Sequence, residues 1–233
     1  MPATCVVGLQ WGDEAKGKIV DILSDAHDFV VRYNGGANAG HTIVWGDRTF
    51  KLSLLPTGVL KPTVRSVIGN GLVVYPPRFL EEVDQLLKAG IPVGDNLAVS
   101  DHAHVIFPYH MEEERVVETG AEGASGAIGT TGRGIGPCYQ DKVGRRFGVR
   151  VGELLRPDHL RERLRYVVPF KNRLMKAFAN GHADQLTPLD ADAITDQYLG
   201  YAEALRPHVT DTSRLLHDAL KAGKRVIFEA AQG

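Results

Sequence analysis

Two glycines, two lysines and two carboxylates crowd into one short segment near the N-terminus, Gly12-Asp13-Glu14-Ala15-Lys16-Gly17-Lys18-Ile19. Between a strand and a helix, such a segment suits phosphate binding. Glycines let the backbone approach an anion, a helix N-terminus presents N–H donors, and Lys16 and Lys18 supply charge. The spacing satisfies G-x-x-x-x-G-K, but Ile19 stands where a P-loop carries the Ser or Thr that ligates Mg²⁺. Another oxygen donor must take over that duty, and Asp13 can do so because hard cations accept carboxylate ligands. A charged surface turn is the competing reading. The ordered succession of strand, glycines, lysines and helix favours the phosphate site.

A second cluster, Asn34-Gly35-Gly36-Ala37-Asn38-Ala39-Gly40-His41-Thr42, follows the next apolar run. In a parallel sheet, both loops leave the same strand ends, where open α/β sheets bind ligands. His41 could then donate a proton or hydrogen bond to phosphoryl oxygens, and Asn38 could bond a phosphate or base. A third cluster runs Gly129-Thr130-Thr131-Gly132-Arg133-Gly134-Ile135-Gly136-Pro137, with Asp141-Lys142-Val143-Gly144-Arg145-Arg146 behind it. Alternating glycines suggest a mobile lid, and hydroxyls beside cations suit a phosphate monoester. A flexible solvated loop with a basic flank is an equal alternative for this third segment.

The elements around these clusters read as α/β. Thr4 to Leu9 suits a buried strand, Ile19 to Leu23 the first turns of a helix, and Phe29 to Tyr33 a second strand. That βαβ opening predicts a right-handed crossover and a parallel pair. Thr42 to Val44 and Thr49 to Leu55 can form a hairpin around Gly46-Asp47. Val64 to Ile68 reads as a strand, and Pro77 to Ala89 as a helix stopped by Gly90. From about residue 101 to 200 helical signals dominate, including Pro157 to Leu164 and Ala191 to Ala204. Asp211 or Thr212 can cap a helix ending near Gly223, and Arg225 to Glu229 is a strong strand. The expected architecture is a mostly parallel central sheet with helices on both faces and a mainly helical excursion.

Bulk properties narrow the classes. With 27 basic and 28 acidic residues in 233, no global field draws nucleic acid or a membrane surface, so an anionic ligand needs local clusters. No run approaches the roughly 18 apolar residues of a membrane span. Two cysteines, Cys5 and Cys138, are too few for a disulfide framework and fit a reducing compartment. The cytoplasm is the expected location. The apolar strand at Arg225 to Glu229 has only four residues after it, where a buried parallel strand ordinarily leads into a covering crossover. A polypeptide cut within its fold is therefore expected.

Taken together, the segments Gln10 to Lys18, Asn38 to Thr42, Gly129 to Pro137 and Phe228 to Gly233 resemble adenylosuccinate synthetase. They lie in the family's order along the whole chain, although family members are close to twice as long. The resemblance implies a GTP-dependent ligase joining IMP and L-aspartate through a 6-phosphoryl-IMP intermediate, with Mg²⁺ as cofactor, acting as a homodimer in purine synthesis. Asp13 would take the N1 proton and ligate Mg²⁺ with the Gly40 carbonyl. His41 would stabilise charge on the transferring phosphoryl group, and Lys16 would lie near the reacting phosphates. Gly12 to Lys18, with Ala15 among them, and Gly40, His41 and Thr42 match the GTP side. Asn38, Thr131 and Gln232 match positions holding IMP together with Asp13, while Arg145 matches one reaching the partner subunit's nucleotide.

Two residues depart from the family's pattern. Ala15 stands where the family has Gly, a costly exchange if its φ is positive, by roughly 1 kcal/mol or more. Ala230 replaces the first glycine of a Gly-Ala-Gln-Gly run, but Gln232 is retained. The family's second half carries guanine recognition and the aspartate-binding loop, so these 233 residues alone are expected to turn over little. A sister purine-phosphate ligase with a different acceptor, such as a deoxyguanylate, is one alternative. Asp13 weighs against it. A nucleotide-binding module without ligation is another, and would show no dependence on aspartate.

Overall fold

The computed structural model describes residues 3–9, 15–45, 48–120, 129–179 and 186–231. A six-stranded parallel sheet runs through the molecule in the order β1-β10-β2-β5-β7-β9. Its strands are β1 (Ala3–Val6), β2 (Phe29–Arg32), β5 (Arg65–Ile68), β7 (Leu97–Ser100), β9 (Val209–Thr210) and β10 (Val226–Glu229). All four residues of β2 are buried, as expected of a parallel strand covered on both faces.

The opening βαβ reading needs one correction. β1 and β2 are parallel but do not pair, because β10 lies between them, with Val6, Glu229 and Arg32 in register across the three strands. Buried parallel strands look alike in sequence, so adjacency is decided by which crossover helix packs where. The consequence is functional: three loops, not two, leave neighbouring strand ends.

Helices cover both faces. Phe29, Val31, Val67 and Val226 pack with Leu215 and Leu216 of α8 (Thr212–Lys221). The alternate residues Val30 and Ile227 pack with Val20 and Leu23 of α1 (Lys16–Ser24). α8 begins as expected, with the Asp211 side chain accepting from Arg214 N at 3.0 Å, and ends before Gly223 at φ 75°. α2 (Pro76–Lys88) starts with proline and stops before Gly90, also at positive φ. The hairpin is present as β3 (His41–Trp45) antiparallel to β4 (Arg48–Leu52), with His41 opposite Leu52. Short strands β6 (Val73–Val74) and β8 (His104–Val105) pair separately.

The excursion is helical as expected: α3 (Pro108–Gly120), α4 (Ile135–Gly144), α5 (Val151–Leu154), α6 (Pro157–Phe178) and α7 (Ala191–Leu205). One buried polar network ties three of them together. Lys171 Nζ of α6 lies 2.8 Å from Glu113 Oε2 of α3 and 2.8 Å from Asp141 Oδ1 of α4. Asp141 Oδ2 meets His110 Nε2 at 3.0 Å, while His110 Nδ1 accepts from Phe107 N. That acceptor role fixes the proton of a neutral His110 on Nε2, aimed at Asp141. Among the described residues, no helix is long and apolar enough to cross a membrane.

Candidate functional site

The site lies where β1, β10 and β2 end. α1 begins at Lys16, immediately after Ala15, whose φ of 60° and ψ of 27° are left-handed. The positive φ at Ala15 is thus realised, and an L side chain there carries strain. Lys16 is buried, and Lys18 is exposed. Gly12, Asp13 and Glu14 fall outside the described residues, as does Gln232.

His41, the first residue of β3, arrives against this turn. A Cβ added to Gly17 would stand 2.8 Å from His41 Cδ2 and 3.1 Å from Cγ, so the imidazole occupies the space a side chain at 17 would need. The G-K glycine is therefore required by close approach and not by an unusual φ. The two loops read from sequence do meet, at the contact between Gly17 and His41.

Behind the ring stands Glu229, the last residue of β10. Its Oε1 lies 3.1 Å from His41 Nδ1, and both side chains are buried. Both atoms are buried, and among the described residues neither makes a hydrogen bond of good geometry, so the two face each other at contact distance as an unsatisfied pair. Burial pushes the Glu229 carboxyl up to about 7, against the pull of Arg32, the Thr57 N–H and hydroxyl, and Lys16. Burial likewise pushes the His41 imidazolium down to about 3, helped by the positive charges of Arg32 and Lys16. Both groups are driven towards their neutral forms. A protonated Glu229 turned towards Nδ1 would leave a neutral imidazole with its proton on Nε2. Glu229 ends an apolar strand and so reads in the sequence as an ordinary strand terminus. A carboxylate closing a run such as Val-Ile-Phe-Glu was the available signal.

Arg32 is the matching surprise on β2. It is fully buried, and its guanidinium donates to the carbonyls of Ser53, Leu54 and Gly36 at 2.8, 2.8 and 3.0 Å. Glu82 of α2 holds the same turn from its other side, accepting from the N–H groups of Ser53, Leu54 and Leu55. These two buried charges fix the chain leaving β4, and through the hairpin they fix His41.

The glycine-rich loop after β2 is pinned closely. Gly35 has φ 77°, and a Cβ there would lie 2.3 Å from the Ala231 Cβ. Asn38 Oδ1 accepts from Gly36 N at 3.0 Å, so this side chain shapes the loop. Gly40 and Thr42 are exposed, with open space around the Gly40 Cα. The third cluster reaches the second: the Arg133 guanidinium donates to Ala37 O, and Gly134 N donates to Glu114 Oε2 at 2.5 Å. A cavity of about 530 Å³ opens between them, bordered by Ala37, Ser53, Gly132 and Arg133. Thr131 is exposed beside it. Arg145 is placed elsewhere: at the far end of α4, with φ 61°, it lines a different cavity, which shares none of the described residues of the phosphate turn.

A parallel α/β sheet that gathers a Gly-Lys turn, an imidazole and a glycine-rich loop at one set of strand ends places the protein in the open-sheet α/β class, whose strand ends are the usual place for phosphate ligands. The adenylosuccinate synthetase family model matches residues 5–233, and the chain belongs to that family. Its sequence is 50% identical, over its full length, to half of the adenylosuccinate synthetase of Synechococcus sp. (strain JA-2-3B'a(2-13)). It is 49% identical over 98% of its length to that of Solibacter usitatus, again covering 51% of the relative. Fully ligated adenylosuccinate synthetase from Plasmodium falciparum superposes with a TM-score of 0.86 at 34% identity, over 98% of this chain and 51% of that one. A cyanophage S-2L succinoaminodeoxyadenylate synthetase bound to dGMP and dATP shares the fold, with a TM-score of 0.57 at 23% identity. The chain spans about half the length of the relatives it matches.

Proposed function

We propose that this chain provides the reacting-phosphate site of a GTP-dependent ligase that joins IMP to L-aspartate in purine nucleotide synthesis. The observation that carries the reading is the packing of His41 on Gly17, with buried Lys16 beside them. It brings an imidazole donor and a lysine to one point at the mouth of a phosphate-type turn, the arrangement phosphoryl transfer requires.

In this reading Asp13 removes the N1 proton of IMP as O6 attacks the γ-phosphorus of GTP. The bond from that phosphorus to the β-phosphate oxygen breaks, and GDP leaves. The α-amino group of aspartate then displaces phosphate from C6. The chemistry is sensible because a ring oxo group leaves poorly until it is phosphorylated. His41 Nε2 donates to the phosphoryl oxygens, Lys16 neutralises their charge, and Glu229 holds the ring by its other nitrogen. The backbone and lysines of residues 12–18, with Gly40 and Thr42, cradle the GTP phosphates. Asn38, Thr131 and Gln232 hold IMP.

Magnesium fits this site through Asp13 and the carbonyl of exposed Gly40. In this reading the ion takes few protein ligands and completes its shell with phosphate and water oxygens. When bound, it neutralises charge on the phosphates. Placement of Arg145 away from the turn is compatible with its reaching a partner subunit's nucleotide in a cytoplasmic homodimer. The test uses a polypeptide carrying this sequence at the family's full length. Asp13→Ala is expected to lower adenylosuccinate formation from GTP, IMP and aspartate by at least about 100-fold. Retained turnover would remove Asp13 from its assigned role.

A further inference from the structure

We propose that Glu114 and Glu118 of α3 are positioning residues for IMP, holding the two ends of the segment from Gly129 to Gly134. Glu114 Oε2 accepts from Gly134 N at 2.5 Å, and Glu118 Oε2 accepts from Gly129 N at 3.1 Å. Residues four apart lie one above the other on a helix face, so the two carboxylates reach two points of one passing segment. Glu114, Glu118, Gly129, Thr130 and Gly132 border a single cavity of about 550 Å³. The inference rests on the ligase reading for the identity of the ligand, since that reading gives Thr131 to IMP.

The segment needs such anchors. Gly129, Gly132 and Gly134 all have left-handed backbone, with φ of 72°, 65° and 69°. Glycines reach those angles without steric cost, but they also leave a chain many alternatives. A hydrogen bond to a carboxylate is roughly twice as strong as one between neutral groups, which suits it to fixing such a chain. Close approach adds a second constraint. A Cβ at Gly134 would stand 2.9 Å from Met111 N and 3.0 Å from His110 C, against the backbone at the start of α3. Glu114 also places negative charge beside the first turn of α4, where the helix dipole favours it.

The clamp itself is rigidly mounted. Lys171 joins Glu113, the neighbour of Glu114, to Asp141 of α4 inside the molecule. The helix that bears the two carboxylates and the helix that follows the segment are thereby locked together. On the segment's other side the Arg133 guanidinium donates to Ala37 O, next to Asn38. Thr130 and Thr131 lie exposed between the held ends. Their hydroxyls are thus set in place as the protein folds and not when the nucleotide arrives, which raises affinity by lowering the ordering cost of binding.

The test again uses this sequence at the family's full length. Glu114→Ala and Glu118→Ala are each expected to raise the KM for IMP at least about tenfold, with kcat and the KM for GTP within about threefold. Glu114→Gln and Glu118→Gln, which keep an oxygen acceptor, are expected to stay within about threefold of the parent. A merely structural role would instead lower the active fraction and leave the KM for IMP unmoved. Amide hydrogen exchange of residues 129–134 without nucleotide is expected to quicken at least about tenfold in both alanine variants. Glu118 is only partly buried, so its variant carries the test should Glu114→Ala fail to fold. Unchanged exchange, equal effects of Gln and Ala, or a KM for IMP no different from the parent's would overturn the proposal. Thr131→Ala separates it from the ligase reading: a raised KM for IMP there, with none in the clamp variants, overturns the clamp alone. A raised KM in the clamp variants, with none in Thr131→Ala, upholds the clamp and removes Thr131 from the IMP site.

Discussion

The imidazole of His41 lies where a side chain at residue 17 would have to go, with 2.8 Å between His41 Cδ2 and the position of a Gly17 Cβ. Residue 17 is helical, so alanine would ordinarily favour the helix by about 1 kcal/mol. Here the methyl group must displace the ring. Gly17→Ala is expected to cut phosphoryl transfer about 100-fold, the usual cost of an ångström-scale misplacement, with little change in thermal midpoint. Parallel measurement of turnover and melting checks this. Unimpaired turnover would mean the ring's position is not critical.

Ala15 makes the opposite case. It is exposed and holds φ 60°, so no packing is lost when its methyl group is removed. Relief of the left-handed strain outweighs the extra freedom glycine gives the unfolded chain, and Ala15→Gly should stabilise the protein by about 0.5–1 kcal/mol. Urea unfolding at constant m measures it. A lower midpoint would show that the turn relaxes in some other way.

Glu229 can be tested by shape against charge. If a neutral acid donates to His41 Nδ1, the amide of Glu229→Gln can make the same donation. Turnover within about threefold of the parent is expected for Gln, and a loss of about 100-fold for Glu229→Ala, in which nothing holds the ring. Equal losses in both variants would argue that an ionised carboxylate is needed instead.

Lys171 lies far from the phosphate turn but joins α3, α4 and α6. Lys171→Met would leave Glu113 and Asp141 without their shared cation in a dry interior. Removal of one member of such a buried set costs about 3–5 kcal/mol. Burial already pushes the Glu113 carboxyl up, so it stays intact only with its partner close. Chemical denaturation gives the number, and a loss below about 1 kcal/mol would mean water reaches the network.

Much of this site could be read in the sequence because its loops have unusual composition. Asn34 to Thr42 and the Gly-Lys turn announce close backbone approach, and caps such as Asp211 and stops such as Gly90 announce helix ends. What could not be read depends on tertiary placement. β10 separates β1 from β2, although nothing in three similar apolar runs tells them apart. Arg32 and Glu229 sit at the ends of those runs and look like ordinary strand-terminal charges until the register sets them side by side. α6 runs 22 residues, well past the expected Leu164, because its packing carries the helix through Pro169, where local preference alone would break it. The third cluster looked like a free lid, but its later part is tied down by Glu114 and Ala37.

The central claim is that His41 and the turn ending at Lys18 act on the same phosphoryl group. The most direct measurement follows the ring nitrogens of ¹⁵N-labelled His41 while GTP and Mg²⁺ are added. The account predicts that Nε2 moves as GTP saturates and that His41→Asn keeps GTP affinity within about threefold, since the ring serves the transferring group more than ground-state binding. A His41 ring indifferent to saturating GTP would contradict it.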